Sequence, residues 1–590
     1  MRISLMLIAP ICALLFPVLT GADELSTAPI KWHDPDSRPI EEPAEIVENQ
    51  VWDIADHTFF FQIGKVLDLG WSARRIGNLL NIAPPKQADN LNELGEVPNS
   101  SWYENRHFLY PLNIAELKRG AGEAVPNAGG PWEIVAGKFE GGTAGFTIKD
   151  ANGQRFLLKF DSEGNNEMGS AAEVIATKAL YAAGYNVPRN SVVYFDPKIL
   201  KVGRKATVPT SDGGKRPMQE ADMQGILDNI IPQPDGTLRC VASAFLSGKP
   251  VGIFDYHGLR KDDANDRVDH EHRRELRGLR VIGSWMNDAD RRAANTLDML
   301  VEGEAGQRYI KHYLIDMGSA FGSNNLMPHL PKYGNEYVWD PRTILRSIVS
   351  LGFYRKPWEE PLPITYPELG YFENETFAAG SWVPTYPNPA FERCTNRDGY
   401  WGAKIVMSFS DEDIVAMVST GHYSNAQAGA ELTRLLAERR DMIGQYWYAR
   451  VNPLDHFAVH DGALAFADLA VVGGLQEAGS TRYRFQRLDA EGENVGAVRE
   501  LTYVDLERLG VDWVQSASSA SFKRVASVGG GPSASTRVYL PLPADLQSMA
   551  FHGYEIHTQR GAAKWSKAVR AYFYLWDDGR YQLVRVEREE

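Results

Sequence analysis

Five residues in the middle of the chain have the types and the order that phosphoryl transfer needs. Lys159 ends the apolar run "RFLLK", and Glu173 lies in the alanine-rich "SAAEVIATKAL". Asp290 and Asn295 stand five apart in "DRRAAN", and Asp316 closes "YLID" ahead of Met317-Gly318. The reaction calls for a cation on the nucleotide phosphates and a carboxylate to hold that cation. It also needs an aspartate to orient the attacking hydroxyl and oxygen ligands for Mg²⁺. Lys159 and Glu173 fit the first two roles, Asp290 the third, and Asn295 with Asp316 the last. Each residue alone has a plainer reading. A lysine ending a strand is commonly solvated, Glu173 reads as a helix-surface charge, and Asp290 and Asn295 read as caps before "AANTLDML". Asp316 is the most informative, because a carboxylate closing an apolar strand needs a partner or a metal to offset its burial. Asp288 is a second candidate base. Arg291 and Arg292 read either as phosphate-neutralising or as exposed helix residues.

Those residues need elements to hold them. "WEIVAGKF", "AGFTIK" and "RFLLKF" alternate as strands, with turns at Glu140-Gly141-Gly142 and at Asp150-Ala151-Asn152-Gly153, so a three-strand meander is expected. A helix over about 167–183 follows, ended by Gly184. "SVVYF", "LRCVASAFL" and "RYIKHYLID" read as further strands, residues 200–240 contain Pro and Gly with mixed charge, and residues 325–400 read as irregular and Pro-rich. Ser410 with Asp413 marks a capped helix, and a longer helix runs from about Asn425 to Tyr448. Residues 458–590 change texture to short alternating strands, an all-β module of sandwich type whose aromatics belong to its core. The charged stretch 262–280, with His270, Glu271 and His272, reads as a solvated helix rather than a metal site, since histidines two apart face different sides. Trp102 and Tyr103, in an irregular stretch, read as a docking contact on a neighbouring core.

In this order of elements and residues the sequence resembles the protein-kinase-like superfamily, in particular its atypical branches, the HipA-type kinases and the kinases of the secretory pathway. The resemblance covers about residues 131–450. It implies an α+β, protein-kinase-like two-lobed core, with the N-lobe at 131–250 and the C-lobe at 251–452. An irregular, partly helical N-terminal extension (23–130) precedes it, and the C-terminal sandwich-like domain (458–590) follows. It assigns the nucleotide to Lys159, Glu173 and the glycine turn Gly141-Gly142, catalysis to Asp290, and the metal to Asn295 and Asp316. The implied cofactors are ATP or another nucleotide with Mg²⁺ or Mn²⁺, and the implied acceptor is a protein or carbohydrate hydroxyl. The sequence departs from the family in having Asp288-Ala289 where His-Arg would precede Asp290, and in a glycine loop that is not Gly-x-Gly-x-x-Gly. Those departures motivate an alternative, a catalytically inactive kinase-like binding or scaffold protein of the cell envelope. A hydrolase with Asp290 and Asp316 flanking one bond is a third reading.

Composition sets the frame. The 590 residues carry 62 basic and 76 acidic side chains, a formal charge of −14, which argues against a nucleic-acid partner. Arg2, the apolar run from Leu5 to Leu19 and the small residues Thr20-Gly21-Ala22 read as a signal peptide over 1–22. A secreted or periplasmic location is therefore expected, with no transmembrane segment in the mature chain and cell-envelope contact through the C-terminal domain. Of three cysteines, Cys240 and Cys394 lie beyond that segment, as a disulfide or as two buried thiols.

Overall fold

The structure is a computed structural model that describes residues 25–46, 85–138, 144–210, 214–460, 462–506 and 537–590. The expected signal peptide, an aromatic helical pattern at 52–80 and the turn Gly141-Gly142 lie outside the described residues. The fold is α+β, a mixed sheet beside a helical body with an all-β C-terminal region.

A short helix α1 (Ile114–Arg119) leads into the expected meander, β1 (Trp132–Lys138), β2 (Gly145–Lys149) and β3 (Arg155–Lys159). Alternation builds it. Trp132, Ile134, Phe146, Ile148, Phe156 and Leu158 enter one buried cluster, and the residues between them face the other way. The helix α2 (Met168–Ala182) follows, then β4 (Asn190–Phe195). Residues 200–240 are more regular than their composition indicates. They form β5 (Leu200–Pro209), β6 (Lys215–Pro217) and the helix α3 (Glu220–Leu227), and β7 (Leu238–Ala244) follows. The order is β4-β7-β3-β2-β1-β5-β6, with β1 and β5 parallel. Lys159 thus ends a strand flanked on both sides.

β8 (Lys249–Pro250), β9 (Thr296–Glu302) and β10 (Arg308–Leu314) make a second sheet. The helices α4 (Arg274–Met286), α6 (Asn396–Met407), α7 (Asp411–Ser419) and α8 (Ala426–Tyr448) pack on one another as the helical body, and α5 (Pro341–Val349) lies between β10 and α6 in the chain. The expected capping box is present on α7, where Ser410 Oγ accepts from Asp413 N and Asp413 Oδ2 accepts from Ser410 N. The stretch "TLDMLVE" after Asn295 is the strand β9, so Asp290 and Asn295 cap no helix.

The charged stretch 262–280 differs from its expectation. His270–His272 form a single tight turn, α4 begins only at Arg274, and His270, Glu271, His272 and Arg273 are buried. Pairing replaces solvent. His270 Nε2 lies 2.8 Å and Arg273 Nη2 3.1 Å from Asp266, while Arg274 and Arg277 share Asp398 at 2.9 and 3.1 Å. The acidic arm at 25–46 is extended, as its composition indicates, but pinned. Asp36 accepts from Ser101 N and Oγ, and Arg260 donates to Ala44 O. Trp102 docks as expected, stacked at 3.5 Å on the His312 ring.

Among the described residues eight strands follow: β11 (Leu454–His460), β12 (Ala463–Asp468), β13 (Thr481–Leu488), β14 (Asn494–Thr502), β15 (Arg537–Pro541), β16 (Ala550–Arg560), β17 (Val569–Leu575) and β18 (Tyr581–Arg588). They form sheets β11-β12-β15 and β14-β13-β16-β17-β18. Phe466 and Leu540 from the first meet Tyr483, Phe485, Ile556 and Phe573 from the second in one cluster, so these aromatics are core. Cys240 and Cys394 are free thiols.

Candidate active site

Helix α2 is buried on nearly every side, and its sequence explains how. Ala171, Ala172, Ile175, Ala176 and Ala179 pack into the helical body, while Val174 meets Val192 of β4 and Val241 of β7. Small side chains let the sheet and the helical body both close on it. Its first turn is held by Asp161, which accepts from Glu167 N at 3.0 Å and Ser170 N at 2.7 Å and pairs with Arg239 of β7 at 2.9 Å. Arg239 also donates across to Gly421 O at 2.6 Å, tying the sheet to the helical body. Its far end turns at Gly184, at φ 113°, where the Tyr103 ring fills the space a Cβ would need.

Glu173 is therefore a buried residue, not a helix-surface charge. Its Oε2 lies 3.2 Å from Lys159 Nζ, and its Oε1 accepts from Asn190 Nδ2 at 3.0 Å. Asn190, at the start of β4, also donates to Thr177 Oγ1 at 3.0 Å. A carboxylate at this depth needs such partners. Lys159 is likewise mostly buried rather than solvated, and it makes a second bond, 3.1 Å to Asp316 Oδ1. Burial pulls the Lys159 ammonium down, but Asp316 and Glu173 together outweigh it and leave its pKa raised. The cation is fixed between two carboxylates from elements far apart in sequence.

Asp316 sits just past β10 at φ 54°, a conformation that costs most residues about 1–3 kcal/mol and that aspartate tolerates better. Arg291 holds the turn there. Its guanidinium donates to Ile315 O at 3.0 Å and to Asp316 O, and its Nε lies 2.8 Å from Asp288. Arg291 and Asp288 are both fully buried, so Arg291 neither faces solvent nor is open to a phosphate. Burial pushes the Asp288 carboxyl up to about 6 despite Arg291, and its position beneath the loop does not suit a base.

Asp290 is the partly open aspartate of the pair. Asn295 Nδ2 donates to its Oδ2 at 3.0 Å and to its carbonyl at 2.6 Å, and Arg292 Nε reaches its Oδ1 at 3.1 Å. Burial raises the Asp290 pKa, Arg292 and Asn295 oppose the rise, and the Asp316 charge adds to it. Ile315 N donates to Asn295 O at 3.0 Å, which joins the Asp290 loop to the Asp316 turn. Lys159, Glu173, Asp290, Asn295 and Asp316 therefore form one connected group.

A Cβ at Gly318 would run into Asn325 Oδ1 and lie 3.3 Å from Glu173 Oε2, so a larger residue there has to displace the Asn325 side chain. Asn190, Thr177, Arg291 and Asn325 support the site and carry no local motif. The one cue was Asn190 standing directly before the apolar "SVVYF".

Oxygen donors of the Asp316 and Asn295 type suit a hard divalent cation, and the Asp290–Asp316 repulsion is one a cation would relieve. A second acidic group is less suited. Asp269, Glu271 and His272 bring ligand atoms within 4.8 Å of one another. Glu271, however, is taken by His257 at 2.9 Å and Gly258 N at 2.8 Å, and His272 Nδ1 faces Arg277.

No family model and no curated protein matches the sequence. Among solved structures, the chain is similar to the Helicobacter pylori proinflammatory kinase CtkA, at 11% identity over 53% of this chain and 96% of that one, with a TM-score of 0.26. It is also similar to the Golgi casein kinase, at 10% identity over 57% of this chain and 76% of that one, TM-score 0.26. A further structure of the Golgi casein kinase, with Mn/ADP bound, matches at 11% identity over 50% of this chain and 75% of that one, TM-score 0.22. Superpositions this loose carry no inference about activity. The functional reading rests on the Lys159–Glu173–Asp316 and Asp290–Asn295 contacts.

Proposed function

We propose that the chain is a kinase-like phosphotransferase, moving a nucleotide phosphate to a hydroxyl of a protein or sugar outside the cytoplasm. The observation that carries the reading is the Lys159 ammonium held at 3.2 Å from Glu173 and 3.1 Å from Asp316. A structural ion pair needs one carboxylate. A lysine steered by a buried glutamate toward a half-open aspartate is placed to meet phosphate oxygens.

In this reading Lys159 holds the phosphates of ATP or a related nucleotide, and Glu173, fixed by Asn190, keeps the ammonium aimed. Asp316 and Asn295 are the residues that would hold Mg²⁺ or Mn²⁺, which when bound draws off negative charge from the phosphates. Asp290 accepts the proton of the acceptor hydroxyl as its oxygen attacks the γ-phosphorus and the bond to the β-phosphate oxygen breaks. Asn295 and Arg292 fix the Asp290 carboxylate for that role. Positioning and charge stabilisation supply most of such a rate enhancement. The lobes would fall at 131–250 and 251–452, with 458–590 as a recruiting module. Among the described residues no helix is long and apolar enough to cross a membrane.

ADP release from ATP with Mg²⁺ or Mn²⁺, measured beside Asp290→Asn, tests the proposal. The expected result is metal-dependent turnover that falls by about 10²–10⁴ in the variant. Absence of turnover with every nucleoside triphosphate, in a folded chain, would leave the inactive binding protein as the better reading.

A further inference from the structure

One surface is unlike the rest of this acidic chain. Residues 343–358 contain Arg346, Arg355 and Lys356 and no acidic residue, and Asp340 and Glu359-Glu360 border them, against a formal charge of −14 overall. The same stretch exposes its largest apolar side chains. Ile344, Leu345, Ile348 and Val349 lie on one face of α5, spaced by the helical repeat, and Leu351 and Phe353 in the following turn are each 85% exposed. Contiguous apolar exposure of this kind on a soluble body marks an interaction site.

The segment is fixed, not loose. Thr343 is buried, Gly352 N donates to Ser347 O at 2.8 Å, Tyr354 N donates to Ser350 Oγ at 2.9 Å, and Lys356 pairs with Glu336 at 3.0 Å. A rigid turn therefore holds Leu351 and Phe353 outward as a ridge. At 85% exposure both stand proud of the surface, so the occupant has to receive protruding side chains.

We propose that α5 and the turn after it insert into an anionic lipid surface. A basic amphipathic helix with leucine, isoleucine and phenylalanine on its apolar face lies in the headgroup region of such a surface. Arg346 and Arg355 flank the ridge and match anionic headgroups, with Arg355 exchanging its exposed, loosely held partner Glu360 at 3.6 Å for a headgroup. Half-buried Tyr354 and Trp358 stand next to it, the ring types that settle at the membrane–water boundary. A second copy bound face to face would set this basic stretch against its own basic equivalent, which like-charge repulsion opposes. The proposal is independent of the phosphotransfer reading.

The test is co-sedimentation of the full chain with vesicles of phosphatidylcholine alone, or with about a third phosphatidylserine. The chain should pellet with the anionic vesicles only, and less in high salt. Two double variants, Leu351→Asp with Phe353→Asp and Arg346→Glu with Arg355→Glu, alter exposed side chains only and should keep the wild-type melting temperature. Each should lower partitioning by about tenfold or more. Equal pelleting of wild type and variants would overturn the proposal, as would no preference for the anionic vesicles. Size-exclusion chromatography and polyglutamate binding distinguish the alternatives. A dimer lost in the Leu351→Asp, Phe353→Asp variant would assign the ridge to a second copy, and binding to polyglutamate instead of vesicles would assign it to an acidic protein. Either result contradicts the lipid surface.

Discussion

At the scale of single residues, the site works by setting charges against burial. Asp290 has to be ionised to accept a proton, yet burial raises its pKa, and Arg292 is the strongest force opposing the rise. Activity should therefore fall as pH drops through a value above that of an ordinary aspartate. In Arg292→Gln the opposing charge is gone, the Asp290 pKa climbs further, and the acid limb of kcat/KM against pH should move to higher pH. A limb that stays in place would mean that Asp290 is not the group titrating. The five residues of the group were legible because their order along the chain follows the demands of the chemistry. Their burial was not. Lys159 and Glu173 read as surface charges, since nothing local says that "SAAEVIATKAL" is covered on both sides. Arg291 was illegible for another reason. Apart from Asp288, its partners are carbonyls of residues 315 and 316, and a backbone partner leaves no trace in side-chain types.

At the scale of elements, the turn after β10 is the most constrained piece. Gly318→Ala should push Asn325 aside and disturb the Glu173 contact with Lys159, lowering kcat by at least about tenfold, since small misplacements near reacting groups are costly. Adding Asn325→Ala removes the clashing Oδ1 and should restore part of the loss, as read by steady-state turnover. No loss in the single variant would show that the turn is not what positions Asp316. Regular elements with strong local signals were readable: the β1–β3 meander from alternation and Asn152-Gly153, α7 from Ser410 and Asp413, and α8 from its helical period. β5 was missed because "LKVGRKATVP" is half exposed and pairs in parallel with β1, a long-range choice. α5 was missed because its apolar face has no core beneath it. The turn at His270–His272 was read as helix because its charges look solvated until the chain folds Asp266 back onto His270 and Arg273 and brings Asp398 to the start of α4.

At the scale of the whole molecule, the β region is bolted to the core through buried charges. Lys404 of α6 contacts Glu96 and lies 3.0 Å from Asp455 of β11, and Arg588 of β18 reaches Asp455 at 3.2 Å. Lys404→Met would leave two carboxylates at that depth with less compensation, which costs about 3–5 kcal/mol. Calorimetry should show that loss as a lower melting temperature for the whole chain, and an unchanged melt would contradict the bolt. None of this was visible in the sequence, because Glu96, Lys404, Asp455 and Arg588 meet across hundreds of residues. The central claim, that Lys159, Asp290, Asn295 and Asp316 make one nucleotide and metal site, is also read most directly on the whole chain. The measurement is thermal stabilisation by ATP with Mg²⁺ or Mn²⁺, in wild type and in Asp316→Asn, a variant that keeps the shape and tolerates the positive φ. At about 100 times its dissociation constant the ligand should add about 2.7 kcal/mol to wild-type stability, only with metal, and the variant should lose that gain. A metal-dependent shift of equal size in both proteins, or no shift with any nucleotide in a folded wild type, would contradict the account.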